Sequence, residues 1–189
     1  MKYTKTTIPD VWIIEPVVFK DSRGYFMEVY RHTDFEQYIG EIHFVQENES
    51  CSTKDVLRGL HYQLEPFSQA KLVRVIQGAV LDVAVDIRQG SPTFGQYVAV
   101  ELSAENKYQL YIPKGFAHGF RVLSHEVLFT YKVDNLYNPD YERGIQYDDP
   151  VIGINWYIGQ DETIILSDKD KKLPPLKDAS INFNYSTQQ

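Results

Sequence analysis

Cysteine, methionine and long apolar runs are scarce in this sequence. Its 189 residues include a single cysteine, Cys51, so no disulfide bond can form within the chain. The N-terminal segment, residues 1–10, lacks the roughly 7–15-residue apolar core of a signal peptide. No stretch approaches the ~20 apolar residues that span a bilayer. We therefore expect a cytoplasmic protein with no membrane partner.

Basic residues are also in deficit. Lys and Arg number 19 against 26 Asp and Glu, which gives a formal net charge of −7. Nucleic acids and anionic membranes bind chiefly through Lys and Arg. The composition therefore excludes both as expected partners, whereas an anionic small molecule can still bind where basic side chains converge.

The chain has no Pro/Gly/Ser-rich linker, no low-complexity tract and no internal repeat. Its length suits one domain with a sizeable core, so we predict a single domain over residues 1–189. Tyr (14) and Phe (10) are plentiful while Met is rare (2). That balance favours strands and aromatic-lined pockets over a helical bundle.

Short runs rich in Val, Ile, Tyr and Phe recur between turn residues, a pattern typical of an antiparallel sandwich or barrel. Lys71–Ile76 and Ala79–Ile87 read as two strands joined by a tight turn at Gln77-Gly78. In the second strand one face is wholly apolar and the other carries Asp82 and Asp86, because side chains alternate between faces. Further predicted strands are Gln96–Leu102, Gln109–Ile112, Gly119–Leu123 and Val127–Val133.

Helical signals are few. Thr33 to Glu36 has the spacing of a capping box, with Gly40 as the stop about two turns later. Ser167–Asp170 can begin a second short helix that ends before Pro174. The sequence therefore predicts an all-β protein with a few short helices.

The stretch Arg58-Gly59-Leu60-His61 is the first candidate for chemistry. In an unbroken strand Arg58 and His61 would point to opposite faces, and a bulge at Gly59 would bring both into one pocket. Histidine is the usual proton acceptor near neutral pH. A lone strand histidine is more often a hydrogen-bonded core residue, so spacing alone leaves both interpretations open.

A second histidine, His118, raises the question of a metal. Cupin metal sites typically combine two histidines one residue apart with a nearby carboxylate and a distant histidine. His61 has no such neighbour, and only Glu65, beside Pro66, follows it. The facial triad of a non-haem iron enzyme is incomplete, so we predict that no metal binds.

Three further polar residues fall on predicted strands, namely Lys71, Asp82 and Tyr131. Each has an ordinary structural interpretation: a solvated strand end, a surface carboxylate and a core aromatic, respectively. None of them identifies an enzyme by itself.

Together the motifs resemble the dTDP-4-dehydrorhamnose 3,5-epimerase family over nearly the whole chain. Many blocks in the same order make the resemblance specific. The matching blocks are residues 8–11 (IPDV), 21–28 (DSRGYFME), 44–48 (FVQEN), 56–63 (VLRGLHYQ), 71–74 (KLVR), 82–88 (DVAVDIR), 91–95 (SPTFG), 112–120 (IPKGFAHGF) and 166–170 (LSDKD).

The resemblance implies a cofactor-free, cupin-like jelly-roll β-barrel that epimerises dTDP-4-dehydro-6-deoxy-D-glucose at C3 and C5. Both carbons lie next to the C4 ketone, so either can lose a proton if the enolate is stabilised. By resemblance, His61 is the general base and Asp170 the carboxylate that supports it. Tyr131 is the acid on the opposite face, and Lys71 holds the developing C4 oxyanion.

The resemblance also assigns binding roles. By resemblance, Arg23 and Arg58 would meet the diphosphate. Glu28, Gln46 and Asn48 would contact the nucleotide, and Tyr137 would stack on thymine. His118, Glu142 and Lys169 would make further contacts with the substrate, and Asp82 would line the same cavity.

The family resemblance further implies a homodimer, in which the apolar segment Val11–Phe19 can pair with the partner's sheet edge. One departure from the family pattern is the longer loop Asp161–Ile165, which makes Asp168 a competitor of Asp170 as the partner of His61. Alternative functions are a C3-only or C5-only epimerase, a non-catalytic cupin that binds sugar nucleotides, and a metal-dependent cupin enzyme.

Overall fold

The computed structural model describes residues 1–160 and 162–186, so Asp161 of the long loop lies outside the described residues. Two antiparallel sheets face each other, and a separate hairpin projects from them. The strands are β1 (Lys2–Lys5), β2 (Trp12–Glu15), β3 (Val18–Asp21), β4 (Gly24–Met27), β5 (Gln46–Thr53), β6 (Leu57–Gln63), β7 (Lys71–Gln77), β8 (Ala79–Asp86), β9 (Tyr97–Ser103), β10 (Gln109–Ile112), β11 (Phe116–Val122), β12 (Glu126–Val133) and β13 (Glu142–Gly144).

The first sheet has six strands in the order β1-β2-β10-β7-β12-β5, and the second has five in the order β13-β6-β11-β8-β9. Strands that are distant in sequence therefore lie side by side, as in a jelly roll. The predicted all-β, cupin-like fold is confirmed. No described helix is long and apolar enough to cross a bilayer.

The main core lies between the two sheets. Val73 and Phe129 from the six-stranded sheet pack in one cluster with Val80, Ala84 and Phe120 from the five-stranded sheet. The predicted alternation of β8 explains this, because Val80 and Ala84 point inward while Leu81 and Val83 point outward. The outward face is also buried, since Ile145, Ile152, Trp156, Leu176 and Phe183 of the C-terminal half cover it.

The predicted bulge in β6 is present. On β11, His118 pairs with His61 and Phe120 pairs with Arg58, so three steps along β6 match two steps along β11. The extra residue in β6 reverses the alternation between Arg58 and His61. Both side chains consequently face the same side of the five-stranded sheet.

Helical structure is sparse. The helix α1 (His32–Tyr38) begins at His32 and its N-cap, Arg31, makes no side-chain capping bond, so the predicted capping box at Thr33 is wrong. The helix is held by packing instead, because Phe35 is buried against Tyr111 and Phe44. Gly40 ends it as predicted, with φ at +121°. Short 3₁₀ turns follow at Pro139–Tyr141, Asp170–Lys172 and Leu176–Asp178.

Candidate active site

A cavity of about 420 Å³ opens between the two sheets. Arg58, His61 and His118 reach it from the five-stranded sheet, and Lys71 and Tyr131 reach it from the six-stranded sheet. The C-terminal segment closes one side with residues 165–167, 169 and 170. Residues from six separate parts of the chain therefore meet in one cleft, which is lined by both polar and apolar side chains.

His61 and Asp170 form a short polar contact that joins two distant segments of the chain in this cavity. The Nε2 atom of His61 lies 2.6 Å from Oδ1 of Asp170. If Nε2 carries the proton and donates it to the carboxylate, Nδ1 is left as the free base. Asp168, the competing partner, is 91% exposed and pairs with Lys171. The structure thus brings Asp170, and not Asp168, to His61.

Asp170 sits in a well-defined environment. Burial disfavours its charged form, but hydrogen bonds from His61 and Ser167 and the backbone amide of Gly59 outweigh burial and lower its pKa. The backbone N–H of Asp170 donates to Oγ of Ser167 at 3.1 Å. Because the carboxylate stays ionised, it can stabilise positive charge on His61.

Tyr131 and Lys71 lie on the sheet opposite His61. Tyr131 is paired across the strands with Val73 and Asn48. Burial raises the pKa of Tyr131, so its hydroxyl stays protonated at neutral pH. Burial lowers the pKa of Lys71 to about 8, although Asp82 and Glu142 favour its charged form. The cavity therefore holds a proton donor and an ammonium group facing a histidine base.

His118 and Asp82 form a second buried pair. Nε2 of His118 lies 3.0 Å from both carboxylate oxygens of Asp82. Burial lowers the pKa of His118 despite the opposing effect of Asp82, with Lys71 and His61 acting in the same direction as burial. Asp82 was expected to line the cavity, but its side chain is fully buried behind His118. The reason is that Asp82 and His118 lie on adjacent strands, with His118 nearer the open space.

Tyr137, Glu142 and Lys169 form a connected group. The Tyr137 hydroxyl donates to Glu142 at 2.6 Å, and Lys169 forms an ion pair with the same carboxylate. Burial disfavours ionised Glu142, but the hydrogen bonds from Lys169 and Tyr137 lower its pKa. The Tyr137 ring is largely exposed, which leaves it free to stack on a ligand.

The remaining sequence-predicted residues divide into two groups. Gln46 and Asn48 lie on β5 beside Tyr131 and bond to each other at 2.7 Å, and Arg58 donates to Ser52 at 3.0 Å on the cavity wall. Arg23 and Glu28 are different. Arg23 lies at the tip of the β3–β4 hairpin, where it pairs with Asp21, and Glu28 pairs with Arg31. Neither lines the cavity of its own chain, and the lining also omits Gln46, Asn48, Tyr137 and Glu142.

Sequence analysis missed part of the cavity wall. Phe120 and Phe129 stack at 4.4 Å between ring centroids and give the cleft its apolar floor. Glu49, Ser50, Ile165 and Leu166 also line it. The strand alternation carried a signal for the two phenylalanines, since Phe120 follows His118 by two residues and Phe129 precedes Tyr131 by two.

The described residues contain no group of three or more His, Cys, Asp and Glu side chains placed to hold one metal ion. Instead, histidine–carboxylate pairs, a tyrosine and a lysine converge on an open cleft. This barrel and cleft define a protein of the cupin type whose cavity is lined by groups able to exchange protons.

The family model for dTDP-4-dehydrorhamnose 3,5-epimerase matches residues 5–178. A dTDP-4-dehydrorhamnose 3,5-epimerase of Shigella flexneri is 58% identical over 90% of this chain and 93% of its own. One from Methanothermobacter thermautotrophicus is 48% identical over 94% of this chain and 95% of its own. The chain belongs to the dTDP-4-dehydrorhamnose 3,5-epimerase family.

Solved structures agree. A dTDP-6-deoxy-D-glucose-3,5-epimerase of Legionella pneumophila, in complex with dTDP-4-keto-L-rhamnose, superposes with a TM-score of 0.94 at 46% identity and covers 98% of this chain and 99% of its own. A 3'-monoepimerase of Streptomyces bikiniensis, in complex with dTDP-quinovose, has a TM-score of 0.85 at 36% identity over 91% of this chain and 86% of its own. The same fold therefore serves both double and single epimerisation among these relatives.

Proposed function

We propose that this chain, acting as one domain over residues 1–189, converts dTDP-4-dehydro-6-deoxy-D-glucose to dTDP-4-dehydro-L-rhamnose by inverting C3 and C5. The observation that carries the proposal is the position of the acid–base groups. His61 with Asp170, and Tyr131, face the same cavity from opposite sheets. Inversion needs a proton to leave one face of a sugar carbon and another to arrive on the opposite face.

Each step has a side chain suited to it. His61 removes the hydrogen next to the C4 ketone, and Asp170 stabilises the resulting imidazolium. The electrons move onto the C4 oxygen as an enolate, and the Lys71 ammonium stabilises the negative charge that appears there. Tyr131 then returns a proton from the other face. The same cycle serves C3 and C5 once His61 has released its proton to solvent and Tyr131 has taken one up, and it calls for no cofactor or metal.

Binding of the dTDP group involves the residues around the cavity. Arg58 suits a diphosphate, because a guanidinium donates two parallel hydrogen bonds to phosphate oxygens. The exposed Tyr137 ring suits stacking on thymine, and Glu142 and Lys169 beside it offer polar contacts. Gln46 and Asn48 are proposed as nucleotide contacts, and His118 as a sugar contact held in place by Asp82.

We also propose a homodimer in the cytoplasm. Arg23 and Glu28 have binding roles by family resemblance, but they do not line their own cavity and lie on or beside the β3–β4 hairpin. A second copy of the chain would place this hairpin against the partner's cavity and complete its binding site. The cytoplasm suits a chain whose single cysteine excludes an internal disulfide.

The second candidate function is a single-centre epimerase, which the likeness to the Streptomyces 3'-monoepimerase favours. Incubation with dTDP-4-dehydro-6-deoxyglucose in deuterium oxide separates the two. Proton NMR of the product should show deuterium and inverted configuration at both C3 and C5. Inversion at one carbon alone would support the single-centre enzyme, and an unchanged sugar would contradict both.

A further inference from the structure

Arg121 is a buried charged residue that belongs to neither the cavity wall nor the residues assigned to binding. It follows Phe120 on β11, so its side chain leaves the sheet on the face away from the cavity. Only 3% of the residue is exposed. A guanidinium is costly to bury unless it is paired and hydrogen-bonded, so its partners reveal its role.

The partners come from two loops, one before β6 and one before Leu166. One terminal nitrogen of Arg121, Nη1, donates to the carbonyl oxygens of Trp156 at 2.8 Å and Tyr157 at 2.6 Å. The other, Nη2, donates to Oε2 of Glu162 at 2.7 Å and lies 3.5 Å from Oδ1 of Asp55. One side chain thus ties Trp156, Tyr157 and Glu162 to the turn before β6.

The segment it holds has a strained backbone. Tyr157 has a φ of +53°, a left-handed conformation that bulky side chains rarely adopt. Its amide donates to Oδ1 of Asn155 at 3.0 Å, while its carbonyl accepts from Arg121. Glu162 adds a further tie, because its Oε2 atom also accepts from the Gly159 amide at 2.8 Å.

The same segment leads directly into the acid–base site. Beyond Glu162, the Ile165 amide donates to the Asp55 carbonyl at 2.9 Å, and the Ile165 carbonyl accepts from Leu57 at 3.0 Å. Ile165, Leu166 and Ser167 line the cavity, and Asp170 follows within the next turn. Asp55 is therefore tied to this wall by its backbone and to Arg121 by its side chain.

We propose that Arg121 is a positioning residue, which fixes the loop before Leu166 through Glu162, Asp55 and the 156–157 carbonyls and thereby keeps Asp170 on His61. The inference rests on the proposed function, in which Asp170 supports His61 as the base. Arg121 does not line the cavity. Its effect reaches the reaction because a displacement of about 1 Å at a catalytic pair can cost ~10²-fold in rate.

The test compares Arg121→Met with Arg121→Lys in the full-length protein. Arg121→Met keeps an unbranched apolar stem but removes every donor. We expect kcat and the rate of solvent deuterium incorporation to fall about 10- to 100-fold. KM should change less, because Lys169 is the one group proposed for binding that lies on the wall held by Arg121. Arg121→Lys should recover part of kcat, since an ammonium retains the charge and can still donate to these acceptors.

Arg88→Met is the matched control. Arg88 is also a largely buried arginine, paired with Asp86 and Asp10 and packed on Phe116 and Tyr185, away from the His61 cavity. Its loss should lower the thermal unfolding temperature while kcat per folded molecule stays at the wild-type value. Wild-type kcat in Arg121→Met, or an equal loss of kcat in Arg88→Met, would overturn the inference.

A spectroscopic measurement separates this inference from the proposed function. The His61 Nε2 proton, hydrogen-bonded to Asp170, should give a low-field proton NMR signal that disappears in His61→Asn. Arg121→Met should shift or broaden this signal, and Arg88→Met should retain it. A wild-type protein without epimerase activity would contradict the proposed function, whereas an unchanged signal in Arg121→Met would contradict the positioning role alone.

Discussion

The proposed chemistry divides proton removal and proton return between two residues that face each other, His61 and Tyr131. His61 is supported by Asp170 at 2.6 Å, while burial keeps the Tyr131 hydroxyl protonated. Because the two groups come from different sheets, one can be altered without displacing the other. Their separate roles can therefore be measured one at a time.

His61→Asn should abolish both inversion and solvent exchange at C3 and C5, because no enolate forms without the base. Tyr131→Phe should lower inversion by ~10²–10⁴-fold, the usual contribution of a general acid. Exchange should persist in Tyr131→Phe at one or both carbons, since the enolate can be reprotonated by His61 on its original face. NMR in deuterium oxide measures both quantities on the same sample.

Circular dichroism provides the control for these two variants, since both should remain folded. Near-wild-type inversion by Tyr131→Phe would show that another group supplies the proton. Label incorporation by His61→Asn would show that another group removes it. Either result would contradict the assignment of base and acid.

We expect Lys71 to make the activity depend on pH. Burial lowers its pKa to about 8, so the ammonium predominates below that pH and is lost above it. Since only the ammonium can stabilise the enolate oxygen, kcat/KM should fall as the pH rises through about 8. The profile of kcat/KM is the appropriate measurement, because it reports groups of the free enzyme.

Substitutions of Lys71 test whether this residue causes the fall of kcat/KM at alkaline pH, the alkaline limb of the profile. Lys71→Arg should keep part of the activity and move the limb to higher pH, because a guanidinium stays charged. Lys71→Met should lower kcat by about 10²–10³-fold, as loss of an oxyanion donor typically does. A limb near pH 8 that survives in Lys71→Arg would assign it to another group.

At the level of secondary-structure elements, the bulge of β6 decides which side chains enter the cavity. Gly59 allows it, with φ at +113° and the β11 backbone in close approach. A Cβ at this position would lie 2.6 Å from Cα of Gly119 and 2.7 Å from the His118 carbonyl oxygen. The same two strands carry His61 and His118, so strain here reaches the site.

Gly59→Ala should destabilise the fold by about 2–4 kcal/mol, from backbone strain together with overpacking, and should reduce activity in the folded fraction. Gly40→Ala is the matched control. Gly40 has a similar φ of +121°, but a Cβ there would meet nothing within 4 Å. It should cost only about 1–2 kcal/mol. Urea unfolding measures both, and equal losses would refute the importance of the close approach.

Strand alternation predicted the presence of strands better than the residues at which they begin and end. Lys71–Ile76 and Ala79–Ile87 were correct to within one residue, and Gln109–Ile112 was correct at both ends. By contrast, β11 begins three residues before the predicted Gly119, since its pairing with β8 extends to Phe116. The start of α1 was missed because tertiary packing of Phe35, and not a cap, holds that helix.

The same limit applies to the candidate site. Spacing left His61 open between a core and a catalytic residue, and it allowed a pocket shared with Arg58 if β6 had a bulge at Gly59. The structure contains that bulge. Residue spacing did not join His61 to Asp170, because the pair is 109 positions apart and only the folded chain brings it together. The Asp82 side chain, expected in the cavity wall, is instead covered by His118, a relation between neighbouring strands that local pattern does not contain.

For the whole molecule, the β3–β4 hairpin is the feature that a single chain leaves unexplained. Phe19 and Phe26 are 62% and 71% exposed, and Arg23 at the tip points to solvent. Exposed apolar surface of this kind marks an interface. We expect light scattering at micromolar concentration to give about 44 kDa, twice the 22.0 kDa of the chain. Phe26→Asp should shift the mass toward one chain, and a wild-type monomer would exclude the dimer.

A mixing experiment tests whether the hairpin completes the partner's cavity. Arg23→Ala and His61→Asn should each be weak or inactive alone at low substrate concentration, since one lacks the diphosphate contact and the other the base. In mixed dimers, the cavity that retains His61 receives an intact hairpin from the other chain. Unfolding and refolding the two variants together in equal amounts should therefore restore about one site in four.

Two controls give that result its meaning. Co-refolding His61→Asn with Tyr131→Phe should restore no activity, because both residues belong to the cavity of a single chain. Each cavity of that mixed dimer therefore lacks either the base or the acid. Each variant refolded alone should stay at its own low activity. If the Arg23→Ala and His61→Asn mixture gains no activity while light scattering shows dimers, Arg23 acts outside the partner's cavity, and its proposed contact with the diphosphate must be abandoned.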